Sequence, residues 1–370
     1  MSIPSHNHKT WVEVDKKALL NNAKIVRGLL KPGTKLMAVV KSNAYGHGLA
    51  KTARLFCKYG ADWIGVDNLD EALLLRNGDI KVPILVLGYT PPERFKEATK
   101  KTISLTAYNY PESLIHNTCP LLHLKIDTGM SRQGIMLVDL PRFVKKIPKG
   151  VNVEGVFTHF ANADNLQDRS YPNFQLANFK KAILILEKAG IDPAIRHASA
   201  TTGLFTMPEA QFDMARIGIA LYGLWPSAGF AEKFRHLELA PALSWKTRIV
   251  QIKKIKKGAP VGYGITEKVK KDSTIAVLPV GYYDGYFRKL SSAGEVLISG
   301  RRCKILGRIS MNLSVVDISD IKNAKVWDEV VLIGSQGRGN VTAEELAEKA
   351  GTISYEVVSR INPLLPRAYL

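Results

Sequence analysis

The chain has 370 residues, 46% of them hydrophobic, and a formal net charge of +19 at pH 7. A chain of this length can bury a large core, and its length favours two domains or one barrel with an addition. The N-terminus is polar, and no stretch approaches the roughly 18 apolar residues of a membrane span. We therefore expect a cytoplasmic protein that contacts no membrane.

The positive charge does not by itself predict a nucleic-acid partner. Lysines are spread over many segments, and the densest cluster, residues 253–257, lacks interleaved aromatic side chains and any nucleic-acid motif. We expect a solvated face whose charge helps to attract anionic ligands. The three cysteines, Cys57, Cys119 and Cys303, are far apart and lack CxxC spacing, so neither a disulfide framework nor a metal site is expected.

The first half of the chain alternates strand and helix patterns. A strand is predicted near residues 11–14, followed by a helix that Asp15 caps and in which Leu19, Ala23 and Val26 recur at helical spacing. From residue 37, apolar runs typical of buried strands alternate with helical segments. The eight runs are 37–40, 63–66, 84–87, 103–106, 121–126, 153–157, 194–197 and 212–215. Eight strands with helices between them predict an α/β fold, a (β/α)8 barrel.

Chemically capable side chains fall at or just after the C-terminal ends of these predicted strands. They are Lys41, Lys125 with Asp127, Thr158 with His159, His197 and Arg216. A (β/α)8 barrel carries its active site on that face. The distribution therefore predicts a functional site there, because packing alone would not collect these residues on one rim.

Beyond about residue 229 the pattern changes to β-rich runs separated by turn signals. The runs are 244–252, 274–280, 295–299, 304–306, 313–318 and 329–333. One helix is predicted among them, since Thr342 and Glu345 form a capping box and Gly351 closes the segment. We assign residues 1–232 to the barrel and 233–370 to a mostly β domain, and the strand near 11–14 is a candidate to pair with the second domain.

Lys41 stands at the end of an apolar strand. Asn43, Tyr45 and His47 follow it with two glycines, which predicts a polar loop where the backbone can approach a ligand closely. The segment AVVKSNAYGHG resembles the lysine segment of alanine racemases, which use pyridoxal 5'-phosphate (PLP) on an α/β barrel. The resemblance implies that Lys41 holds the cofactor and that Tyr45 contacts it.

A second motif, HLKIDTGMSRQG at residues 123–134, matches the HxKxDTGMxRxG segment of this family. The resemblance implies that Arg132 binds the substrate carboxylate, for which its fork geometry is suited. It also implies that Lys125 is carbamylated and orients Arg132. From the residues alone, both side chains would be surface charges.

Two further segments resemble cofactor-binding parts of the family. EGVFTHF carries His159, which the resemblance places beside the cofactor ring, and HASAT begins at His197 and resembles HxANS. In the latter, Thr201 retains a hydroxyl for the cofactor phosphate, whereas Ala200 replaces an asparagine and loses an amide contact.

The segment DMARIGIALYG at residues 213–223 resembles DxxRPGxxLYG. The resemblance implies that Arg216 pairs with the PLP pyridine nitrogen, that His197 supports Arg216, and that the backbone N–H groups near Gly218 and Ile219 bind the phosphate at a helix start. Because arginine keeps its proton, the ring nitrogen stays unprotonated and the cofactor is a weaker electron sink, which favours prompt reprotonation over transamination.

The second domain carries four more family segments. VGYGIT resembles VSYGxT and implies that Tyr263 is a second catalytic base, which the partner subunit supplies in a head-to-tail homodimer. GYYDG carries Tyr282 in a supporting position, and GRISMN implies that the Met311 backbone N–H meets the substrate carboxylate, with Asn312 in place of an aspartate. ISYE implies that Tyr355 contacts the phosphate.

The family resemblance predicts an enzyme that interconverts L-alanine and D-alanine and supplies D-alanine for peptidoglycan. Racemisation needs two acid/base groups on opposite faces of one carbon. We expect Lys41 to act on the D-isomer and Tyr263 on the L-isomer. Burial would lower the pKa of the lysine, and His159 is the candidate cation that would lower the pKa of the tyrosine.

Other functions stay open at this stage. A broad-specificity or serine racemase fits the same motifs. A PLP-dependent amino-acid decarboxylase shares the architecture but usually places a glutamate opposite the ring nitrogen, where this chain has Arg216. Single-domain PLP-binding proteins would lack the second domain and Tyr263.

Overall fold

A computed structural model describes residues 7–109, 121–148 and 150–370; Cys119 lies outside them. Its strands are β1 (Thr10–Val14), β2 (Lys35–Val39), β3 (Trp63–Val66), β4 (Ile84–Val86), β5 (Ser104–Ala107), β6 (Leu122–Asp127), β7 (Ile135–Met136), β8 (Val153–Phe157), β9 (Ile195–His197), β10 (Met214–Ile217), β11 (Leu243–Arg248), β12 (Gln251–Ile255), β13 (Ser273–Leu278), β14 (Glu295–Ile298), β15 (Arg301–Leu306), β16 (Ser314–Asp317), β17 (Glu329–Gln336), β18 (Gly339–Val341) and β19 (Arg367–Tyr369).

Helices connect most of these strands. They are α1 (Lys16–Leu29), α2 (Lys41–Tyr45), α3 (Leu49–Lys58), α4 (Leu69–Asn77), α5 (Phe95–Lys100), α6 (Leu140–Lys145), α7 (Ser170–Lys188), α8 (Thr201–Thr206), α9 (Ala228–Phe234), α10 (Ala343–Ala350) and α11 (Ser354–Ser359). No helix of the described ranges is long and apolar enough to cross a membrane.

The chain divides into two compact units. The barrel unit comprises Leu19–Ala44 and Leu49–Ala240. The β-rich unit comprises the residues up to Ala18, Tyr45–Gly48 and Pro241–Leu370.

The barrel unit is built on eight parallel strands in the order β10-β2-β3-β4-β5-β6-β8-β9. Backbone hydrogen bonds from Asp213 N to Arg196 O and from Arg216 N to Ser199 O, each 3.0 Å, join the two ends of this order and close the barrel. The predicted α/β barrel is confirmed, and each predicted run overlaps a strand.

The end of the last barrel strand was predicted wrongly. The run at 212–215 was expected to stop before Arg216, but β10 pairs with β2 as far as Ile217, opposite Ala38. Lys125 lies near the end of β6, inside the predicted run 121–126, and pairs with Phe157. Strand pairing therefore fixes the backbone of both residues.

The β-rich unit holds an extended sheet in the order β12-β13-β16-β15-β14-β17-β11-β1-β19, with β18 paired to β17. Strand β1 runs antiparallel to β11 and parallel to β19. The predicted run 244–252 is two strands, β11 and β12. The sequence did not predict β18, β19 or α11, whose three to six residues are too short for a periodic pattern.

Side-chain caps begin the helices at the predicted positions. The Asp15 carboxylate accepts from Lys17 N at 2.7 Å and from Ala18 N at 3.1 Å. The Thr342 hydroxyl accepts from Glu345 N at 3.0 Å, and Gly351 ends α10 in a left-handed conformation. These bonds satisfy backbone donors that a helix start leaves without partners.

Candidate active site

Arg216 is the most deeply buried cation of the predicted site, with 3% of its surface exposed. One terminal nitrogen donates to His197 Nδ1 at 2.9 Å and to His197 O at 3.0 Å. The other donates to Thr158 O at 2.6 Å, Ala198 O at 3.1 Å and His159 Nδ1 at 3.3 Å. The Nε–H has no hydrogen-bond partner among the residues the structure describes, so this one donor is left for a ligand.

The buried charge of Arg216 determines the ionisation of its neighbours. Burial lowers the pKa of Arg216 to about 9, which leaves the guanidinium charged at neutral pH. Burial and the Arg216 charge lower the pKa values of His159 and His197 well below their usual range. His159 is therefore neutral, and the expectation that it supplies a positive charge to Tyr263 is wrong.

Two helix starts meet beside Arg216. Helix α8 begins at Thr201 and a 3₁₀ helix begins at Ile219, and neither start has a side-chain N-cap. The Gly218 backbone N–H donates to the Thr201 hydroxyl at 3.3 Å, which ties the two starts together. Uncapped N–H groups at helix starts are the backbone donors that bind phosphate.

Lys41 precedes a left-handed helical turn. Four consecutive residues, from Ser42 to Tyr45, have φ between 51° and 56°. The Glu71 carboxylate accepts from Asn43 N at 3.3 Å and from Asp67 N at 3.0 Å, which holds the start of the turn. The predicted polar loop therefore begins as a left-handed turn, whose backbone is fixed in a region that L-residues avoid.

The Lys41 amine is accessible in the single chain. Its side chain is 41% exposed and its Nζ lies 3.5 Å from the Asp67 carboxylate. The expectation that Lys41 is buried does not hold for the chain alone.

Lys125 lies on strand β6, and Arg132 lies in the turn that follows this strand. Lys125 is buried, and its Nζ donates to Gln133 Oε1 at 3.0 Å. Burial, together with the charges of Arg132, Arg216 and Lys41, lowers the pKa of Lys125 to about 8. The exposed Arg132 and buried Lys125 are therefore part of one cationic group around the barrel mouth, and are not independent surface charges.

Asp127 shapes the turn that leads to Arg132. Its Oδ1 accepts from the backbone N–H groups of Gly129 at 2.9 Å, Met130 at 2.9 Å and Ser131 at 3.1 Å. The sequence placed Asp127 on the rim but gave it no role. Sequence reasoning also missed Gln133 and Glu71, because their partners depend on turn geometry.

The β-rich unit carries the remaining predicted residues. Tyr263 is 72% exposed and stands between Gly262 and Gly264, whose φ values are +72° and +74°. A Cβ at Gly264 would lie 2.8 Å from an Arg308 side-chain nitrogen, so the glycines let this loop pack closely against Arg308.

Two other pairs of predicted residues are neighbours within the β-rich unit. Tyr282 N donates to Ser310 O at 3.1 Å, which joins its segment to the one that carries Met311. The Tyr45 and Tyr355 rings lie 6.2 Å apart, and burial raises the pKa of Tyr45 to about 12. Tyr45 therefore keeps its proton as a hydrogen-bond donor at neutral pH.

A parallel barrel that collects a lysine, a buried arginine and two uncapped helix starts at its strand ends defines the class of barrel enzymes that use PLP. The model of the alanine racemase N-terminal domain matches residues 14–226, and that of the C-terminal domain matches residues 242–369. The chain belongs to the alanine racemase family, whose cofactor is PLP.

Individual relatives agree over nearly the whole length. The alanine racemase of Leptospira interrogans is 39% identical over 371 residues, with 97% of this chain and 95% of the relative covered. That of Symbiobacterium thermophilum is 42% identical over 369 residues, with 97% of each covered. The crystal structure of the Bacillus anthracis alanine racemase with bound L-Ala-P has a TM-score of 0.92 at 35% identity and covers 98% of this chain and 95% of that one.

The lowered pKa of Lys125 predicts that this amine becomes reactive as the pH rises through about 8. Below that pH most Lys125 amines are protonated. Above it most are neutral and able to form a carbamate with carbon dioxide. We expect a carbamate resonance in ¹³C NMR after incubation with ¹³C-bicarbonate, about tenfold stronger at pH 9 than at pH 7, as a one-proton titration with this pKa gives.

Lys125→Met is the control and should lack this resonance. An equally strong resonance in that variant, or no change with pH, would contradict the assignment.

Proposed function

We propose that this chain interconverts L-alanine and D-alanine with PLP, using Lys41 and Tyr263 as the two acid/base groups. The observation that carries the proposal is the unused Nε–H of Arg216, on a buried cation that keeps its proton at neutral pH. Such a donor suits a ring nitrogen that is to stay unprotonated.

The donor set fits the cofactor. The two uncapped starts at Thr201 and Ile219 would supply N–H groups for its phosphate, Arg216 would donate to its ring nitrogen, and Lys41 would supply the amine that holds it. When bound, PLP delocalises the negative charge that remains when an α-proton is removed, which lowers the barrier to that removal.

The protein residues bind the substrate and move the proton. Arg132 and the Met311 backbone N–H are proposed to hold the substrate carboxylate, which fixes the α-carbon between two bases. Lys41 takes or returns the proton on one face, and Tyr263 does so on the other. The positive charges of Arg132 and Arg216 favour loss of a proton from a phenol placed beside them.

A homodimer is proposed to complete the site. An exposed tyrosine held by a glycine-framed loop is suited to meet a second chain, and the family resemblance assigns Tyr263 to the barrel of the partner subunit. We also propose a cytoplasmic location and a role in supplying D-alanine for peptidoglycan, both from the family. A serine or broad-specificity racemase is the alternative within this fold, and Arg216 argues against a decarboxylase.

Purified protein loaded with PLP should racemise L-alanine faster than other L-amino acids, because the family relation and the site chemistry both favour it. The measurement is the loss of optical rotation across a panel that includes L-serine. A faster reaction with L-serine would identify serine, and not alanine, as the preferred substrate. Release of carbon dioxide would instead indicate a decarboxylase.

Tyr263→Phe should impair proton removal from L-alanine more than from D-alanine, because it removes only one of the two bases. We expect a loss of at least about 100-fold for the L-isomer, in the range of general acid–base catalysis. Single-turnover exchange of the α-hydrogen in D₂O measures each direction. Tyr283→Phe, at another exposed tyrosine of the β-rich unit, is the matched control and should retain both rates. Equal losses in both directions for Tyr263→Phe would reject the assignment of faces.

Hybrid dimers test whether two chains share each site. Lys41→Ala and Tyr263→Ala chains, each inactive alone, should regain about a quarter of wild-type activity when co-expressed, because roughly half of randomly assembled dimers are hybrids with one intact site. Co-expression of Lys41→Ala chains with Arg132→Ala chains is the control. Both residues belong to the barrel unit, so neither site of such a hybrid is intact. Failure of the first pair to recover activity in purified hybrids would exclude a shared site.

A further inference from the structure

A chain of hydrogen bonds crosses the barrel interior behind Arg216. His197 Nε2 lies 2.8 Å from His123 Nδ1, and His123 Nε2 lies 3.2 Å from the Glu154 carboxylate. The same carboxylate oxygen accepts from the Ser104 hydroxyl at 2.7 Å. Ser104 and Glu154 stand at the starts of β5 and β8, whereas His197 ends β9. This chain of hydrogen bonds therefore runs from the N-terminal end of the barrel strands toward the end that carries the site.

The chemistry of the two end groups fixes the direction of every bond in this chain. A guanidinium only donates, so His197 Nδ1, which lies 2.9 Å from Arg216, must accept. The neutral His197 then carries its proton on Nε2 and donates to His123 Nδ1. His123 in turn carries its proton on Nε2 and donates to Glu154, which can only accept when ionised.

The ionisation states agree with this direction. Burial lowers the pKa of His123, as it does that of His197, so both rings are neutral at neutral pH. Burial opposes ionisation of Glu154, but hydrogen bonds from His123 and Ser104 outweigh it and lower the pKa of Glu154. The chain of hydrogen bonds thus has the Arg216 cation at one end, the Glu154 carboxylate at the other and two neutral histidine rings between them.

The packing around the two rings leaves them little freedom. A Cβ on Gly155 would overlap the His123 ring, so glycine makes the space that this ring occupies. The Trp63 ring meets His123 edge-on at 5.4 Å, and Phe157 stacks on His197 at 4.8 Å. With their positions fixed in this way, the rings can respond to a lost partner chiefly by moving protons between their nitrogens.

We propose that Glu154 is a positioning residue for the racemase reaction, which sets the tautomers of His123 and His197 and through them holds Arg216 in place. Without an acceptor at residue 154, the Nε2–H of His123 has no partner and only Arg216 still favours the Nε2 tautomers, so a population that carries the His123 proton on Nδ1 becomes accessible. That proton faces His197, which then carries its own on Nδ1 against the donor of Arg216. In that population the guanidinium loses its hydrogen bond to the His197 ring and is held only by its remaining bonds, chiefly those to backbone carbonyls.

The test compares Glu154→Leu, which removes the acceptor, with Glu154→Gln, which keeps one. The Glu154 side chain is 22% exposed, so both variants are expected to fold. Glu187→Leu is the matched control, because Glu187 also accepts one hydrogen bond on the barrel surface, from Arg196, and touches neither histidine. Neutral histidine tautomers are distinguished by ¹⁵N chemical shifts in protein labelled with ¹⁵N-histidine, with and without PLP.

Wild type, Glu154→Gln and Glu187→Leu should show His123 and His197 protonated on Nε2, and Glu154→Leu should show a shift toward Nδ1. In the loaded enzyme, Glu154→Leu should lower kcat for alanine about tenfold with little change in KM, the usual effect of one buried hydrogen bond to a charged group. Glu154→Gln should keep most of the turnover.

Unchanged tautomers in Glu154→Leu, a wild-type His197 protonated on Nδ1, or unchanged turnover after a tautomer shift would each overturn the proposal. So would Glu154→Gln behaving like Glu154→Leu. The effect on turnover rests on the proposed function of Arg216, whereas the NMR measurement does not, so failure of one is distinguishable from failure of the other.

Discussion

The buried charge of Arg216 is the constraint on which the rest of the barrel interior depends. A guanidinium removed from water is tolerated only when acceptors surround it, and here backbone carbonyls from the ends of β8 and β9 and two neutral histidines provide them. Burial and the same charge keep those histidines neutral, and the charge contributes to the lowered pKa of Lys125. Burial and this one cation thus act together on the pKa values of His159, His197 and Lys125.

The left-handed turn after Lys41 is a second constraint, and it carries a cost. Each L-residue in this conformation costs roughly 1–2 kcal/mol, and four occur in succession. The Glu71 bonds to Asn43 and Asp67, together with the Asn43 side-chain bond to Leu49 N at 2.9 Å, offset part of that cost. Strain that the surroundings maintain is typical of functional sites, and here it fixes the backbone next to the proposed catalytic amine.

The sequence predicted the barrel well because each buried strand is an apolar run, and caps such as Asp15 and Thr342 rest on neighbouring residues. The family resemblance predicted that His197 supports Arg216. The sequence did not predict the carbonyl partners of Arg216, nor the line from His197 through His123 to Glu154. Those contacts join strands whose register the sequence pattern does not specify, and His123 and Glu154 look like ordinary strand residues. The family motifs supplied roles for Arg132 and Thr201, but only three-dimensional pairing identifies the residues that support them.

The β-rich unit shows how rigidity and exposure are combined at Tyr263. Its loop is tied down by the Glu267 carboxylate, which accepts from Gly307 N at 2.7 Å and from the Ser292 hydroxyl. A free surface tyrosine would need no such support, because water satisfies its hydroxyl at any position. Holding an exposed phenol in a fixed place is useful when a second surface covers it, and a base supplied in this way can approach a substrate from the face opposite Lys41. The proposed two-base reaction therefore accounts for the position of Lys41 on the barrel unit and of Tyr263 on the β-rich unit.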